Sequence, residues 1–304
     1  MQTHQASQSG LTLVELLISI TCLLLILAGV YDVFSRQSET STVEQEILNM
    51  QMSSRVAIER LGFVFSNAGF GCRDSFDQGR TMSGDDPDGN GSVSVNRVFW
   101  DIQNNNANGT NPDSVVVTYG FRKVAEVDGL HNSTTSVDFK NVGSPSITTS
   151  DFKKYLCFFP NIEGDHFYEV TDATDPYDLD QETPQLSDDS EVYMVTPIRV
   201  KLVNDTLYLQ NFAYTQTNLW ESAENIQDLQ LQYTTDGSNW VDNPADPEDV
   251  IGVRIFVLAR TDRPDPGYSD AKTYELAGQT VGAFNDPYHR KVAQTTVWVR
   301  NNDQ

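Results

Sequence analysis

Apolar residues dominate the beginning of the chain, and they form an uninterrupted run. From Leu11 to Tyr31 there is no Lys, Arg or Asp residue, and Glu15 is the only acidic residue. At about 1.5 Å per residue, a helix over this run spans roughly 30 Å, which is the thickness of the hydrocarbon core of a bilayer. The pattern therefore predicts a membrane-spanning helix over residues 11–31.

Beyond Tyr31 the apolar residues recur only at every third or fourth position, as on one face of a helix. The members of this stripe are Val43, Ile47, Met50, Ile58, Leu61, Phe65 and Ala68, with Ser54 at the remaining step. The spacing predicts an amphipathic helix over residues 32–68 whose apolar face packs on a sheet. A coiled coil is the alternative, but the stripe lacks a strict heptad over several repeats. Gly69 and Gly71 predict the end of the helix.

The residues after the helix, 69–304, predict one β-rich globular domain. Strands are predicted where β-branched and alternating residues concentrate: Ser114–Phe121, Glu191–Val203, Thr206–Phe212, Asp228–Thr235, Asp249–Arg260 and Val292–Arg300. Asn204 and Asp205 suit a two-residue hairpin turn. The long polar segments between the strands are predicted to be loops: Asp74–Ser92, Asn104–Asp113, Thr171–Ser190, Asp236–Asp249 and Thr261–His289.

Glu15 is the residue that does not fit the apolar run, because a carboxylate inside a membrane costs about 2.5–3.5 kcal/mol or more. A cleaved secretory signal would have a shorter apolar core and a small-residue cleavage site. A plain membrane anchor leaves Glu15 unexplained. Cleavage after Gly10 would instead make Leu11 a new N-terminus. The α-amine of a neighbouring helix could then pair with Glu15 and set the register of a helical bundle.

The segment "GLTLVELLISI" resembles the processing and methylation motif of type IV prepilins. The resemblance implies that residues 1–10 are a leader peptide, that a prepilin peptidase cuts between Gly10 and Leu11, and that Leu11 is N-methylated. It also implies a role for Glu15 in subunit assembly. Two features depart from the pattern: the leader has no Lys or Arg, and Leu rather than Phe follows the cut. Both fit a minor subunit better than an abundant one.

The C-terminal third resembles PilW-type minor pilins. The segments that carry this resemblance are "PIRVKLVNDTLYLQ", "AENIQDLQLQYTTDG", "VIGVRIFVLARTDR" and "YHRKVAQTTVWVRN", in this order. The two resemblances together cover the chain up to about Cys72 and residues 191–301, whereas residues 73–190 carry no comparable motif. They imply an α+β, pilin-like fold, in which a long N-terminal helix packs on a β-rich periplasmic domain.

The function implied is that of a minor pilin in type IV pilus assembly or initiation, in the tip complex of the fibre. Its implied partners are the prepilin peptidase, other minor and major pilins, and the assembly platform of the inner membrane. The protein would be held in that membrane by one span and would later join the pilus on the cell surface. The alternatives are a J-type minor pseudopilin of a type II secretion system and a pilus-tip adhesin.

The charge of the chain excludes one class of partner. With 20 Lys and Arg against 43 Asp and Glu, the formal net charge is −23. Such a surface repels nucleic acid, so no direct nucleic-acid partner is expected. The chain has no His-Glu-x-x-His, Gly-x-Ser-x-Gly or phosphate-loop motif, and its four histidines stand apart. We therefore predict neither an enzyme nor a cofactor.

Two further residue groups leave alternatives open. In an oxidising compartment Cys72 and Cys157 can form one disulfide, and two free buried thiols are the other outcome. Asp86, Asp88 and Asn90 alternate as in the first half of a calcium loop, but Arg97 occupies the twelfth position, where a bidentate Glu is needed. A polar turn is the favoured interpretation, and no metal site is predicted.

Overall fold

The computed structural model describes residues 13–88, 91–104, 112–143, 146–160, 164–213 and 219–300. The chain divides into two compact units, residues 1–48 and 49–304. Residues 1–12 lie outside the described part, so the leader peptide, Gly10 and Leu11 remain predictions. The first described element, helix α1, runs over Leu13–Ser66.

In the first unit, α1 exposes its apolar side chains on every face. Leu13 is 78% exposed and Phe34 is 69% exposed, and an 18-residue window of mean hydropathy 2.6 contains no buried residue. The helix is therefore long and apolar enough to cross a membrane. Its polar hydroxyls are satisfied within the helix, since Ser19 and Thr21 each donate to a carbonyl four residues earlier, at 2.8 Å.

In the second unit, the last turns of α1 bury one face. The buried residues are Met50, Ser54, Ala57, Leu61, Val64 and Phe65. The predicted stripe is confirmed here, including Ser54, whose hydroxyl donates to the Gln51 carbonyl at 2.8 Å. Ala57 and Val64 widen the stripe beyond the positions that the spacing indicated. The result is a long apolar N-terminal helix on a β-rich domain, which confirms the predicted α+β, pilin-like fold.

The helix ends as its glycines indicate. After Ser66 the chain turns through Gly69 and Gly71, with φ angles of +84° and +71° that favour residues without a Cβ. The turn is bonded to strand β4 (Ser114–Val127): the Gly69 amide donates to the Thr118 carbonyl at 2.9 Å, and the Gly120 amide donates to the Phe70 carbonyl at 2.7 Å. A short helix, α2 (Arg73–Asp77), follows.

Seventeen strands make up the described part of the β domain. Besides β4 they are β1 (Met82–Asp85), β2 (Ser92–Val95), β3 (Phe99–Gln103), β5 (Ser136–Val137), β6 (Phe139–Lys140), β7 (Tyr155–Phe159), β8 (Tyr168–Asp172), β9 (Tyr177–Leu179), β10 (Glu191–Val203), β11 (Thr206–Asn211), β12 (Leu219–Ala223), β13 (Ile226–Thr234), β14 (Gly252–Arg260), β15 (Thr273–Leu276), β16 (Gln279–Gly282) and β17 (Arg290–Trp298).

Strand β10 organises the largest sheet, which has ten strands. One edge of β10 pairs with β4 over Glu191–Val200. The other edge pairs first with β7, over residues 191–194, and then with β11, over residues 198–203. The predicted hairpin between β10 and β11 is confirmed: Asn204 and Asp205 both have positive φ angles, 50° and 60°, as a two-residue hairpin turn requires.

A smaller antiparallel sheet, in the order β13-β14-β17, shares a core with α1 and the large sheet. The ring of Phe99 lies 6.3 Å from that of Phe65 on α1 and 6.0 Å from that of Tyr233 on β13. Asp113, which is buried just before β4, joins the sheets by hydrogen bonds. Its amide donates to the Leu229 carbonyl and its carboxylate accepts from the Leu231 amide, both at 2.8 Å.

Three of the predicted loops contain β-strands, and that part of the prediction is wrong. Segment 74–92 contains most of α2 and strand β1, segment 171–190 contains β9, and segment 261–289 contains the hairpin β15–β16. These strands have three or four residues, so their alternation is too short to stand out from a polar background. The hairpin still contributes Leu276 and Val281 to a core with Phe256 of the small sheet.

Replacement of the buried helix residue Leu61 by Ala should lower the free energy of unfolding by about 2–5 kcal/mol, because it leaves a cavity against the sheets. Met52 is on the same helix but is 70% exposed, so Met52→Ala should change it by less than about 0.5 kcal/mol. Urea unfolding of the detergent-solubilised full chain, followed by tryptophan fluorescence, measures both. Equal losses in the two variants would contradict the packing of this face.

Candidate assembly site

Glu15 lies in the first turn of α1, surrounded by apolar residues. Its neighbours Val14, Leu16 and Leu17 are 65%, 54% and 60% exposed. A carboxylate close to the N-terminus of a helix is stabilised by the helix dipole, by about 0.3–1 kcal/mol at exposed positions. This gain is smaller than the cost of about 2.5–3.5 kcal/mol of placing the charge in a membrane. A carboxylate at this position would therefore be stabilised by a cation.

The polar boundary of the apolar segment is marked by an ion pair on α1. Arg36 and Asp32 lie one helical turn apart, and the Arg36 Nε lies 3.1 Å from an Asp32 carboxylate oxygen. Both side chains are largely exposed, so the pair adds little to stability. It does show where charged residues begin, immediately after Tyr31, as the sequence indicated. Gly10 and Leu11, the predicted cleavage and methylation positions, lie outside the described residues.

The second unit has an open groove beside the end of α1. It has a volume of 530 Å³ and is lined by Gly62, Phe63, Ser66 and Asn67 of the helix and by residues 296–298 and Arg300 at the end of β17. Phe63 and Trp298 are 56% and 52% exposed, although both are large and apolar. A Cβ added at Gly62 would lie 3.8 Å from a Val297 methyl group, which is an ordinary van der Waals contact, so the groove does not depend on glycine at this position.

The Asp-rich turn that resembles half a calcium loop is occupied by basic side chains. Arg199 Nη1 lies 3.1 Å from Asp86 and 2.6 Å from Asp88, and Lys201 Nζ lies 2.9 Å from Asp88. Partial burial alone would raise the pKa of Asp88, but hydrogen bonds from Gln210 and Lys201 lower it below its ordinary value. The carboxylates thus neutralise the buried Arg199 and the half-buried Lys201 of β10. Asn90, the third oxygen of the pattern, lies outside the described residues.

The described residues contain no group of three or more His, Cys, Asp or Glu side chains placed to hold a metal ion. The three histidines in this part of the chain have separate surroundings. His131 is within 2.9 Å of the Asp128 carbonyl, and His289 is within 3.0 Å of the Asp265 carboxylate. His166 faces the Ser75 hydroxyl at 3.5 Å. The expectation that none of these histidines is catalytic stays a prediction.

Cys72 and Cys157 are both buried, and the structure holds them as free thiols. Burial raises the pKa of both, and the nearby Cys157 raises the pKa of Cys72 further. Cys22, the third cysteine, is exposed on the apolar part of α1. The two buried cysteines lie in the same part of the core, as a disulfide would require, and the bond itself stays a prediction.

Arg290 is the structurally important residue that the sequence analysis did not single out. Its side chain is 1% exposed and contacts Asp270, which is fully buried, at 3.0 Å, and Asp286 at 2.6 Å. Its Nε donates to Gln227 at 2.6 Å. Hydrogen bonds from Arg290 also lower the pKa of Asp286. A basic residue following an acidic segment was the available signal, but only the fold shows that it is buried.

This cluster fixes segment 261–289 against the small sheet. The Asp270 carboxylate also accepts from the Tyr274 hydroxyl, at 2.9 and 3.0 Å, and from the Tyr268 hydroxyl at 3.2 Å. The Arg290 guanidinium lies over the Phe284 ring, 3.8 Å from its centre. Buried charged groups that share this many partners stabilise one another, so the removal of one side chain should destabilise the whole cluster.

Comparison with known proteins assigns the two ends of the chain to a class. Residues 5–31 match the family model of the prokaryotic N-terminal methylation motif, and α1 begins within this match, at Leu13. The chain is thus similar to type IV pilins that are anchored in the inner membrane by one N-terminal helix.

Residues 192–301 match the family model described as type IV pilus-assembly protein W. Together the two matches are those of a PilW-like type IV pilin, a protein related to type IV pilus assembly. The search of curated proteins gave no match. The predicted resemblance is confirmed, and the second matched region begins within β10, the central strand of the large sheet.

Replacement of Arg290 by Met should lower the free energy of unfolding by about 3–5 kcal/mol, because Asp270 would keep a buried charge without its cation. The double variant Arg290→Met/Asp270→Asn removes that charge and should recover part of the loss. Urea unfolding of the full chain in detergent measures both. A cost below about 1 kcal/mol for the single variant would show that Asp270 does not depend on Arg290 to compensate its buried charge.

Proposed function

We propose that this protein is a minor subunit of a type IV pilus, which takes part in pilus assembly or initiation within the tip complex. The observation that carries the proposal is the methylation-motif match over residues 5–31, which contains the apolar start of α1 and the carboxylate in its first turn, Glu15. The PilW-type match over residues 192–301 supports a role in the pilus over one in secretion.

The first physical argument concerns apolar area. The side chains of α1 between Leu13 and Phe34 are exposed in the protein alone, and water would strongly disfavour that surface. A bilayer covers it before assembly, with the β domain in the periplasm. In a fibre, the apolar helices of other pilins cover it in the same way. The proposed transfer from membrane to fibre therefore keeps this surface out of water throughout.

The second argument concerns Glu15. Apolar packing between helices is not directional, so it does not set how far one helix is displaced along another. A charged pair in an apolar seam does set this, because any other register leaves a buried charge without its partner. We assign the partner of Glu15 to the α-amine of a neighbouring pilin, which cleavage after Gly10 would generate. The prepilin peptidase and the assembly platform of the inner membrane are the other proposed partners.

The third argument concerns residues 73–190, which a tip adhesin would use as a separate binding module. Strands β4 and β7 of this region pair directly with β10, so the region is part of the same sheet as the PilW-like part. This arrangement favours a structural subunit with an enlarged domain. We propose no catalytic activity and no cofactor for it.

The N-terminal mass of the protein recovered from membranes of the cells that make it tests the proposal most directly. We expect a chain that begins at N-methylated Leu11. An intact Met1, in cells with an active prepilin peptidase, would reduce the protein to a plain membrane anchor. A variant with Gly10→Val should keep the leader, because the peptidase would lose its cleavage position, and it serves as the control for the mass assignment.

Replacement of Glu15 by Val should leave membrane insertion unchanged but reduce recovery of the protein in sheared pili at least several-fold, because the register-setting charge is lost. The matched control is Ser19→Val, one helical turn further along the same helix, which removes a polar group but no charge. Quantitative immunoblots of membrane and sheared fractions compare the two. Equal recovery of the Glu15 variant and the wild type would contradict the assigned role.

A further inference from the structure

We propose that Cys72 and Cys157 are joined by a disulfide in the mature protein, which fastens the turn after helix α1 to the centre of the large sheet. The inference rests on the proposed function in one respect: the β domain must be exported to an oxidising compartment for the bond to persist. In the structure both residues are thiols.

The backbone brings the two residues together although they lie far apart in the sequence. Cys72 ends the turn that follows α1, and hydrogen bonds join that turn to Thr118 and Gly120 of β4. Cys157 is the middle residue of β7 and lies opposite Tyr193 of β10. Because β10 pairs with β4 on one edge and with β7 on the other, the turn that is bonded to β4 reaches Cys157 of β7.

The sulfur atoms occupy one buried site. A Cβ on Gly71, the residue directly before Cys72, would overlap the Cys157 sulfur, and a Cβ on Gly120 would lie 3.1 Å from the same atom. The Cys72 thiol donates to the carbonyl of Thr118 at 3.5 Å, two residues from Gly120 on β4. Both sulfurs therefore lie against the same three-residue stretch of β4, residues 118–120, and Gly71 and Gly120 make room for the sulfur of Cys157.

The surroundings leave no other evident chemistry for this pair. Cys72 and Cys157 are 0% and 1% exposed, and an aromatic cluster of Phe70, Phe159 and Tyr193 lies next to them. Burial raises the pKa of both thiols, so neither is a good nucleophile or metal ligand at neutral pH. A structural cross-link remains the chemistry that two enclosed thiols can perform.

The oxidation requires a partner, which we identify by class as a disulfide-carrying thiol oxidoreductase of the exporting compartment. One thiolate of the domain attacks the disulfide of the oxidoreductase and forms a mixed disulfide. The second thiolate displaces the oxidoreductase, so one sulfur–sulfur bond breaks and one forms. Two electrons and two protons pass to the oxidoreductase, which leaves as a dithiol. Since both thiols are buried after folding, this exchange takes place before the core closes.

The bond would close a loop of about 85 residues, and disulfides over long loops constrain the unfolded chain most strongly. Its position also matters for a fibre subunit. Pulling on α1 acts on the turn that contains Cys72, and the bond passes that load to β7 without relying on the hydrogen bonds to β4. The cross-link would thus join the helix end to strands of residues 73–190.

The experiment counts thiols in the full-length protein from membranes, denatured and treated with iodoacetamide before and after reduction. We expect one alkyl group before reduction, on Cys22, and three afterwards. A Cys22→Ala variant should give none and two, respectively. Proteolysis without reduction should give one cross-linked peptide pair containing Cys72 and Cys157. Three alkyl groups before reduction, or a bond to Cys22, would overturn the proposal.

A stability measurement separates the bond from the packing of the side chains. Reductant should lower the Tm of the wild type by about 5–15 °C when added during unfolding. It should not change the Tm of the double variant Cys72→Ala/Cys157→Ala, which already lacks the bond. A wild-type Tm that is independent of reductant would overturn the proposal even if the double variant were unstable.

The same mass spectra separate failure of this inference from failure of the proposed function. Free Cys72 and Cys157 in a chain that starts at methylated Leu11 overturn the disulfide and leave the pilin function standing. An intact Met1 overturns the function, and the disulfide is then decided by refolding the denatured, reduced protein in a glutathione redox buffer. In that test a Cys72–Cys157 bond supports the proposal, and its absence overturns it.

Discussion

The exposed apolar surface of helix α1 is the constraint that governs this protein. No side chain between Leu13 and Phe34 is buried within the chain, so a bilayer or other apolar helices must cover this surface. The same helix must bury a different face, around Leu61 and Phe65, to hold the β domain. One continuous helix therefore has an apolar part that must be kept out of water and a part that packs on the β domain. The change from continuous to periodic hydrophobicity in the sequence marks the boundary between these two parts.

The β domain handles its acidity by pairing charges inside the fold. Arg199 and Arg290 are almost fully buried; Arg199 pairs with three aspartates and Arg290 with two. These ion pairs cost desolvation, so their contribution is to hold the acidic turns in one arrangement rather than to add much stability. The turn at Asp86 illustrates this: a pattern that resembles a cation-binding loop is occupied by the protein's own cations.

Residues 73–190 lie outside both family matches, yet they supply the strands on both edges of β10 in the large sheet. Strand β10 begins the PilW-like region, and its long partner β4 comes from the unmatched region. The core of the domain thus depends on residues from both parts.

The sequence by itself determined the features that depend on local periodicity and on short motifs. These include α1 and its end at the glycines, the buried stripe with Ser54, the hairpin at Asn204 and Asp205, and the pilin motif around Glu15. Only the tertiary structure decided the placement of Arg290, the occupation of Asp88 by Arg199 and Lys201, and the meeting of Cys72 with Cys157. Each of these contacts joins residues from separate elements, and sheet topology brings them together. A hydrophobic pattern records which face of an element is buried, but it carries no information on which distant element covers that face.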